Sequence, residues 1–299
     1  MIASNKKRTH QDTRSVETKS DNTKVILIQK ASGEEEPFIL DKLARSLRKA
    51  GADSKSIEKI LIDIEEWVYT GVTTKQIYSR AFSLLRREKK SFAMRYRLKQ
   101  AIIELGPTGY PFEQFIGQLF KKQGYKIEVG VVVDGYCVTH EMDVIATQDH
   151  MQHLVECKYH KDQGKHVSVQ VPLYVRSRVN DIIDKRKEIP KYSELSFEGW
   201  IVTNTRFSED SIKYGTCSGL NLLAWDYPHD KGLKEIVEEL RLYPVTILHH
   251  LTKKKKQELL NKGIVTCFQL KEDLNALNSI LLNDRKQKLI KEELFEICG

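Results

Sequence analysis

Asp143 stands thirteen residues before Glu156, and Cys157-Lys158 follow directly. Two carboxylates and an ammonium at that spacing can hold a hard divalent cation and activate water against a phosphodiester. In Leu154-Val155-Glu156-Cys157-Lys158-Tyr159, strand periodicity sends alternate side chains to opposite faces. Glu156 and Lys158 then share one face, and Val155, Cys157 and Tyr159 share the other, the core side. Asp143 begins the apolar run Asp143-Val144-Ile145-Ala146, and the polar segment from Gln148 to Gln152 reads as a turn. A hairpin across that turn brings Asp143 beside Glu156. Asp143 and Glu156 suit Mg²⁺ or Mn²⁺. Lys158 suits three tasks, which stay open at this point: orienting the water, assisting its deprotonation, or stabilising the pentavalent state.

The elements that must position these residues are legible on either side. Pro111 to Phe120 has apolar residues at helical spacing and stops at Gly124-Tyr125, after which Lys126 to Val129 resumes as a strand. Beyond the Glu-x-Lys strand, a polar turn spans Lys161 to Lys165. Val167 to Ile183 reads as a helix bearing Gln170, Arg176 and Arg178, with Pro172 near its start. Glu198 to Asn204 reads as a buried strand, Phe207 to Tyr214 as a short helix, and Leu220 to Trp225 as a final strand.

The stretch "FEQFIGQLFKKQGY", "EMDVIA", "VECK" and "GWIVTNTRFSEDSIKYG", over about 111–228, resembles the Mrr-like branch of the PD-(D/E)xK restriction-endonuclease superfamily. The resemblance implies a catalytic core of Asp143, Glu156 and Lys158, with Asp143 and Glu156 as metal ligands. It also implies a helix carboxylate at Glu113 that assists metal or water positioning, and a polar position at Gln170. Thr139-His140-Glu141-Met142 replaces the Gly-rich approach of many relatives, which leaves open whether His140 or Glu141 enters the site.

Residues 1–23 are polar, lack the apolar core of a signal peptide, and read as a disordered arm. Val25 to Gln29 then reads as a strand, Lys30-Ala31-Ser32-Gly33 as a turn, and Glu36-Pro37-Phe38 as the return. Helices are expected over Asp41 to Ala50, Ile57 to Val68, from a Thr73 or Thr74 cap through Leu85, and over Phe92 to Leu105, which carries Arg95, Arg97 and Lys99. A glycine turn with two nearby lysines is a plausible polyphosphate site, because backbone N–H groups and ammonium ions both suit phosphate. The strings "LIQKASGEEEPFILDKLARSL", "GVTTKQIYSRAFSLL" and "FAMRYRLKQAI", over about 24–104, resemble the ATP-cone, a regulatory nucleotide-binding domain known from ribonucleotide reductases. The resemblance implies Ile28 at the base, Lys30 and Lys42 at the phosphates, Glu36 near the base or ribose, and Thr74 near the nucleotide. The family's Lys-Arg-Asp-Gly turn is Lys30-Ala31-Ser32-Gly33 here, so a phosphate-binding arginine is missing. No Gly-x-x-x-x-Gly-Lys-Ser/Thr sequence occurs, which points to sensing of ATP or dATP and away from a motor ATPase.

Residues 229–244 read as a helix or linker ending at Pro244. Helices follow near Leu251 to Leu260, Phe268 to Leu274 and Asp284 to Ile297. "LLNKGIVTCFQL" resembles a helix-hairpin-helix turn, with a plain helical cap or a dimerisation element as alternatives. Lys253 to Lys256 adds either phosphate contacts or a charged helix face.

The 299 residues suit two domains and an appendage, and the net charge of +8 favours a polyanionic partner, DNA or RNA. Five cysteines with no Cys-x-x-Cys pair indicate reduced thiols and a cytoplasmic setting. No run approaches the roughly 20 apolar residues of a membrane span. His150, His153, Cys157 and His160 match no common zinc spacing.

The expected architecture is a multidomain α+β and α/β chain. An arm (1–23) precedes a mostly helical ATP-cone with a small β-hairpin (24–105). A restriction-endonuclease-like α/β core with a central mixed sheet (106–228) and a small helical C-terminal segment (229–299) follow. The expected function is a metal-dependent DNA endonuclease of the restriction or defence type, regulated by ATP or dATP and acting as a homo-oligomer. Alternatives are a nucleotide-responsive DNA-binding regulator with an inactive nuclease fold, or a structure-selective repair nuclease.

Overall fold

The computed structural model describes residues 25–30, 33–88, 93 and 96–298. The expected N-terminal arm lies outside the described residues. So do Ala31 and Ser32 of the first turn, and Phe92 and Arg95 of the fourth helix.

The N-terminal unit pairs β1 (Leu27–Gln29) with β2 (Glu35–Pro37) in an antiparallel hairpin, followed by α1 (Leu40–Lys49), α2 (Ser54–Trp67) and α3 (Thr74–Glu88). The apolar positions read from sequence bury against one another: Ile28, Leu47, Ile60, Ile64, Ala81 and Leu85 form its core. Asp53 caps α2 through the Ser56 N–H, and Thr73, not Thr74, caps α3, its hydroxyl accepting the Gln76 N–H at 3.2 Å.

α4 (Leu98–Ile103) is the described end of the expected fourth helix. Leu98, Ala101, Ile102 and Leu105 bury their side chains in the core of the larger, C-terminal part of the molecule. That part opens with α5 (Tyr110–Lys122), β3 (Lys126–Asp134), β4 (Thr139–Gln148) and β5 (Met151–Lys158). It continues through β6 (His166–Val167), α6 (Gln170–Lys187), β7 (Ser196–Thr203), β8 (Arg206–Phe207), α7 (Glu209–Cys217) and β9 (Leu220–Leu223). The central sheet is mixed, in the order β3-β4-β5-β7-β9: its first two pairings are antiparallel and its last two parallel, while β6 and β8 pair separately. α5 packs on one face through Phe112, Phe115, Ile116 and Leu119. Burying each phenyl ring contributes about 2–3 kcal/mol. α6 packs on the other face through Val175, Val179 and Ile182. Gly117 lets α5 approach closely, since a Cβ there would meet Val129 Cγ2 at 2.8 Å.

The C-terminal helices are α8 (Leu233–Glu239), α9 (Lys253–Asn261), α10 (Cys267–Glu272), α11 (Asn275–Ser279) and α12 (Asp284–Cys298). Their apolar faces join the core that holds α5. The run Lys253 to Lys256 is not a uniform charged face. Lys256 is buried and its ammonium is bound to Glu104 and to the Thr246 carbonyl, which ties α9 to α4. Among the described residues, no helix is long and apolar enough to cross a membrane.

Candidate active site and nucleotide cleft

The carboxylate site forms where β4 and β5 separate. Their ladder runs from the Gln148–Met151 pair to the Val144–Val155 pair and stops, so the next pair would be Asp143 with Glu156. In place of a ladder bond, the Cys157 N–H donates to Asp143 Oδ2 at 2.6 Å. On the other side, Asp143 lies opposite Gly130 of β3, whose φ of +64° is the left-handed conformation that favours glycine. Both strands exchange faces at this point. Ile127 and Val129 pack with the α5 side, but Val131 and Val133 pack with the α6 side. Likewise Met142 lies with the α6 side, and Val144 and Ala146 with the α5 side.

Glu156 and Lys158 project to the same side, as alternation requires, and Lys158 Nζ lies 2.6 Å from Glu156 Oε1. Glu156 is only 3% exposed. Such a carboxylate needs partners to remain ionised. α6 supplies two: the Tyr174 hydroxyl donates to Oε1 at 3.0 Å, and an Arg178 guanidinium nitrogen donates to Oε2 at 2.5 Å. Burial works against the charge of Lys158, but the Glu156 carboxylate outweighs it and holds the Lys158 pKa above its ordinary value. Lys158 is therefore an ammonium at neutral pH, suited to stabilising negative charge and unsuited to accepting a proton.

Asp143 and Glu113 are shifted the other way. Burial first, then the Glu156 charge, raises the Asp143 carboxyl to about 6, against the pull of the Cys157 N–H, Lys158 and Arg178. Burial and the charges of Asp143, Glu141 and Glu156 raise Glu113, on the first turn of α5, to about 7. Two carboxyls pushed up together mark a buried, acidic place. Cys157, on the core side, has its thiol pushed far up by burial, which removes it as a nucleophile.

The structure thus gathers Asp143, Glu156, Lys158 and Glu113. Gln170 opens α6 with an exposed side chain, and the groups of that helix that touch Glu156 are Tyr174 and Arg178. The three share one stripe, at spacings of four residues. That periodicity was available in the sequence, but nothing in it singles out Tyr174. Of the two residues left open, His140 bonds Asp181 of α6 at 2.7 Å, and Glu141 is exposed but close enough to act on Glu113. Asp181 also accepts the Cys137 N–H at 2.8 Å and so clasps the β3–β4 tip to α6. His153, one of the histidines weighed for zinc, is bound instead to the Tyr125 hydroxyl and the Trp200 indole N–H.

In the N-terminal unit, Ile28, Glu36, Lys42 and Thr74 line one cleft of about 230 Å³ together with Tyr78 and Tyr96, whose rings stack at 4.8 Å. Lys30 joins them through Glu36, which pairs with Lys30 at 3.1 Å and Lys42 at 3.3 Å. These lysines lower the Glu36 pKa against the opposing effect of burial.

Comparisons with known proteins bear on both ends of the larger part. Residues 107–227 match the family model of a restriction endonuclease catalytic domain, and residues 243–298 match the AF1548-like C-terminal model. An uncharacterised protein of Archaeoglobus fulgidus is 30% identical over 185 residues, 62% of this chain and 100% of that protein. The crystal structure of a protein of unknown function, AF1548, is similar with a TM-score of 0.53 and 29% identity, over 64% of this chain and 99% of that one. The MspJI restriction endonuclease in complex with a 27-mer oligonucleotide has a TM-score of 0.35 and 13% identity, over 66% of this chain and 39% of that one, a likeness too slight to carry an argument. The chain belongs to the family of the Archaeoglobus fulgidus protein, with a restriction-endonuclease domain over 107–227 followed by an AF1548-like C-terminal domain over 243–298.

Proposed function

We propose that this protein is a metal-dependent endonuclease that hydrolyses phosphodiester bonds in DNA, under the control of ATP or dATP bound in the N-terminal cleft. The observation that carries the reading is the grouping of Asp143, Glu113, Glu156 and Lys158 at the open end of the β4–β5 ladder of a restriction-endonuclease domain. A net charge of +8 suits a DNA partner.

No three potential ligands converge among the described residues, so a hard cation such as Mg²⁺ or Mn²⁺ would rest on the two carboxylates Asp143 and Glu156 and on water. Such a cation needs only one or two protein carboxylates. The raised pKa values of Asp143 and Glu113 are those of carboxyls that a positive charge would relieve. Asp143 and Glu156 would hold the ion, with Glu113 beside it. When bound, the ion neutralises charge on the phosphate and acidifies water. The chain's own groups do the rest. The Cys157 N–H fixes the Asp143 carboxylate, Tyr174 and Arg178 fix Glu156, and the Lys158 ammonium stabilises the charge that builds on the phosphoryl oxygens. Glu113, whose carboxyl is raised to about 7 without the ion, would ionise beside a bound cation and help to position it or its water.

In the N-terminal unit, Ile28 and the stacked tyrosines offer an apolar slot for a base, and Lys30 and Lys42 offer charge to phosphates. ATP or dATP seated there acts by changing subunit association, so the active form is a homo-oligomer.

The decisive experiment is cleavage of plasmid and of modified phage DNA with Mg²⁺ or Mn²⁺, with and without ATP or dATP. Wild type is compared with Asp143→Ala and Lys158→Ala. Metal-dependent cutting, reduced about a thousandfold in both variants, is expected. No cutting by any of the three proteins, with DNA binding intact, would establish instead a DNA-binding regulator on an inactive nuclease fold.

A further inference from the structure

The cleft of the N-terminal unit does not end blindly. Two of its lining residues, Thr74 and Tyr78, also line a groove of about 540 Å³ that runs between that unit and the endonuclease domain. The groove's charged lining is Lys75 of α3, Lys99 of α4, and Lys161 and Asp162 from the loop after β5. Its volume falls within the range of roughly 300–1,000 Å³ typical of small-ligand sites.

The three lysines differ from the paired lysines described above, and they converge on one groove. Lys30, Lys42, Lys158 and Lys256 each hold a carboxylate. Among the described residues, Lys75, Lys99 and Lys161 hold none. Lys99 is the most telling, because it is half-buried, with its ammonium 5.5 Å from the centre of the Trp225 ring. Burial lowers its pKa; Asp226 opposes that shift, and Arg206 and Lys234 add to it. Burial, Arg206 and Lys234 together outweigh Asp226 at this ammonium, and a bound anion would relieve that arrangement.

The groove also touches the catalytic strand. Lys161 comes three residues after Lys158, and between them the Asn204 amide grips both the N–H and the carbonyl of His160, at 2.7 Å each. The wall that carries Lys161 is therefore anchored where β5 ends.

We propose that this groove is a binding site for a linear oligophosphate, the phosphate chain of a small molecule, which bridges Lys75 and Lys99 of the N-terminal helices to Lys161 beside the catalytic strand. The proposal stands on the lining and charge of the groove, and on neither the nuclease nor the nucleotide reading above. Unpaired ammonium groups on facing walls suit a chain of phosphates better than a single compact anion. The volume of the groove suits a small ligand better than a duplex.

The test is calorimetric titration of the full chain with inorganic triphosphate. Lys75→Glu and Lys161→Glu carry it, since both lysines are exposed and neither reversal disturbs a core. Lys288→Glu, on an exposed lysine of α12, serves as the control. The wild type is expected to bind triphosphate at one site. Each groove variant should lose about tenfold or more in affinity, and the control should lose little. Competition with ATP identifies the source. Mutual exclusion assigns the phosphate chain to a nucleotide seated in the cleft, independent binding assigns it to a free oligophosphate, and both support the groove. Wild-type affinity in Lys75→Glu and Lys161→Glu would overturn the proposal, as would an equal loss in Lys288→Glu. It would also fall if the groove variants lost affinity for a short DNA duplex while keeping it for triphosphate, which would make the groove a track for a DNA backbone.

Discussion

The two charged sites of this protein handle charge in opposite ways. In the N-terminal cleft a single carboxylate, Glu36, sits between Lys30 and Lys42, and its pKa is lowered. In the endonuclease domain Asp143 and Glu113 crowd together and their pKa values rise to about 6 and about 7. The first site sets two ammonium groups against one bridging carboxylate and presents cations beside an apolar slot. The second is buried and acidic: burial first, then neighbouring carboxylates, raise both carboxyls, while Lys158 and Arg178 are bound to Glu156. An anion suits the first and a cation suits the second. That difference, more than any one distance, separates the two sites.

The largest expected effect is the loss of about a thousandfold in cleavage rate on Asp143→Ala. Lys30→Ala should leave the rate without nucleotide unchanged. Equal losses in the two would erase the distinction between the sites.

Arg178→Met tests the same contrast through stability. Glu156 is 3% exposed and its Oε2 accepts from Arg178 at 2.5 Å, so the variant leaves a buried charge poorly paired. We expect a loss of about 3 kcal/mol in urea denaturation. The pairs of the cleft are partly exposed, and Lys42→Ala should cost less than about 1 kcal/mol.

Glu113→Gln sharpens the contrast through pH. The folded pKa of about 7 exceeds the ordinary value of 4.5, so the folded state keeps a proton that the unfolded state has lost. Stability therefore falls as pH rises from about 4.5 to about 7. The glutamine cannot titrate. Its advantage over wild type should be absent at pH 4, grow through that window, and reach about 1–2 kcal/mol above it, after allowance for the solvent around a half-exposed group. Mg²⁺ should raise the Tm of wild type more than that of Glu113→Gln. Parallel stability curves at every pH would show that Glu113 carries no such strain.

Much of the second site was legible in the sequence. Alternation alone put Glu156 and Lys158 on one face, and the polar segment after Gln148 located the hairpin. What escaped has definite physical causes. The strand from Lys126 was expected to end at Val129, but it continues to Asp134. Gly130 in the left-handed conformation shifts the alternation by one residue, and a broken alternation looks like a strand end. Tyr174 and Arg178 hold Glu156 across eighteen and twenty-two residues of chain. No local period reports such a pairing. Lys256 read as part of a charged helix face or as a phosphate contact, because its partner Glu104 lies 152 residues away. In the cleft, the hairpin strands and the first three helices were foreseen, and what escaped was that Glu36 bridges Lys30 and Lys42.

That bridge makes Lys42 the next test. Lys42→Ala should weaken ATP and dATP binding by about tenfold in calorimetry, and Glu36→Gln should strengthen it by releasing both lysines. If both substitutions weaken binding alike, Glu36 touches the nucleotide directly, and the cleft is not simply a bridged lysine pair awaiting phosphate. Sedimentation in ATP or dATP should show a change in subunit number in wild type that Lys42→Ala requires more nucleotide to reach.

The smallest effect separates the two partners of one oxygen. Glu156 Oε1 accepts from Lys158 at 2.6 Å and from the Tyr174 hydroxyl at 3.0 Å. Tyr174→Phe removes one donor and keeps the ring, which lies 5.5 Å from the Lys158 ammonium and 5.4 Å from the Arg178 guanidinium. Because Oε1 retains Lys158, the loss should be about 1 kcal/mol. Without the phenol, Oε1 depends on Lys158 alone, which holds that ammonium to Glu156 and away from substrate. Cleavage should therefore slow severalfold at saturating DNA, with KM little changed, the pattern of a lost transition-state interaction. A change in KM alone would assign Tyr174 to DNA contact, since its ring is partly exposed. The acidic site would then owe its order to Lys158 and Arg178, and the cationic frame around Glu156, not the phenol, would set it apart from the cleft.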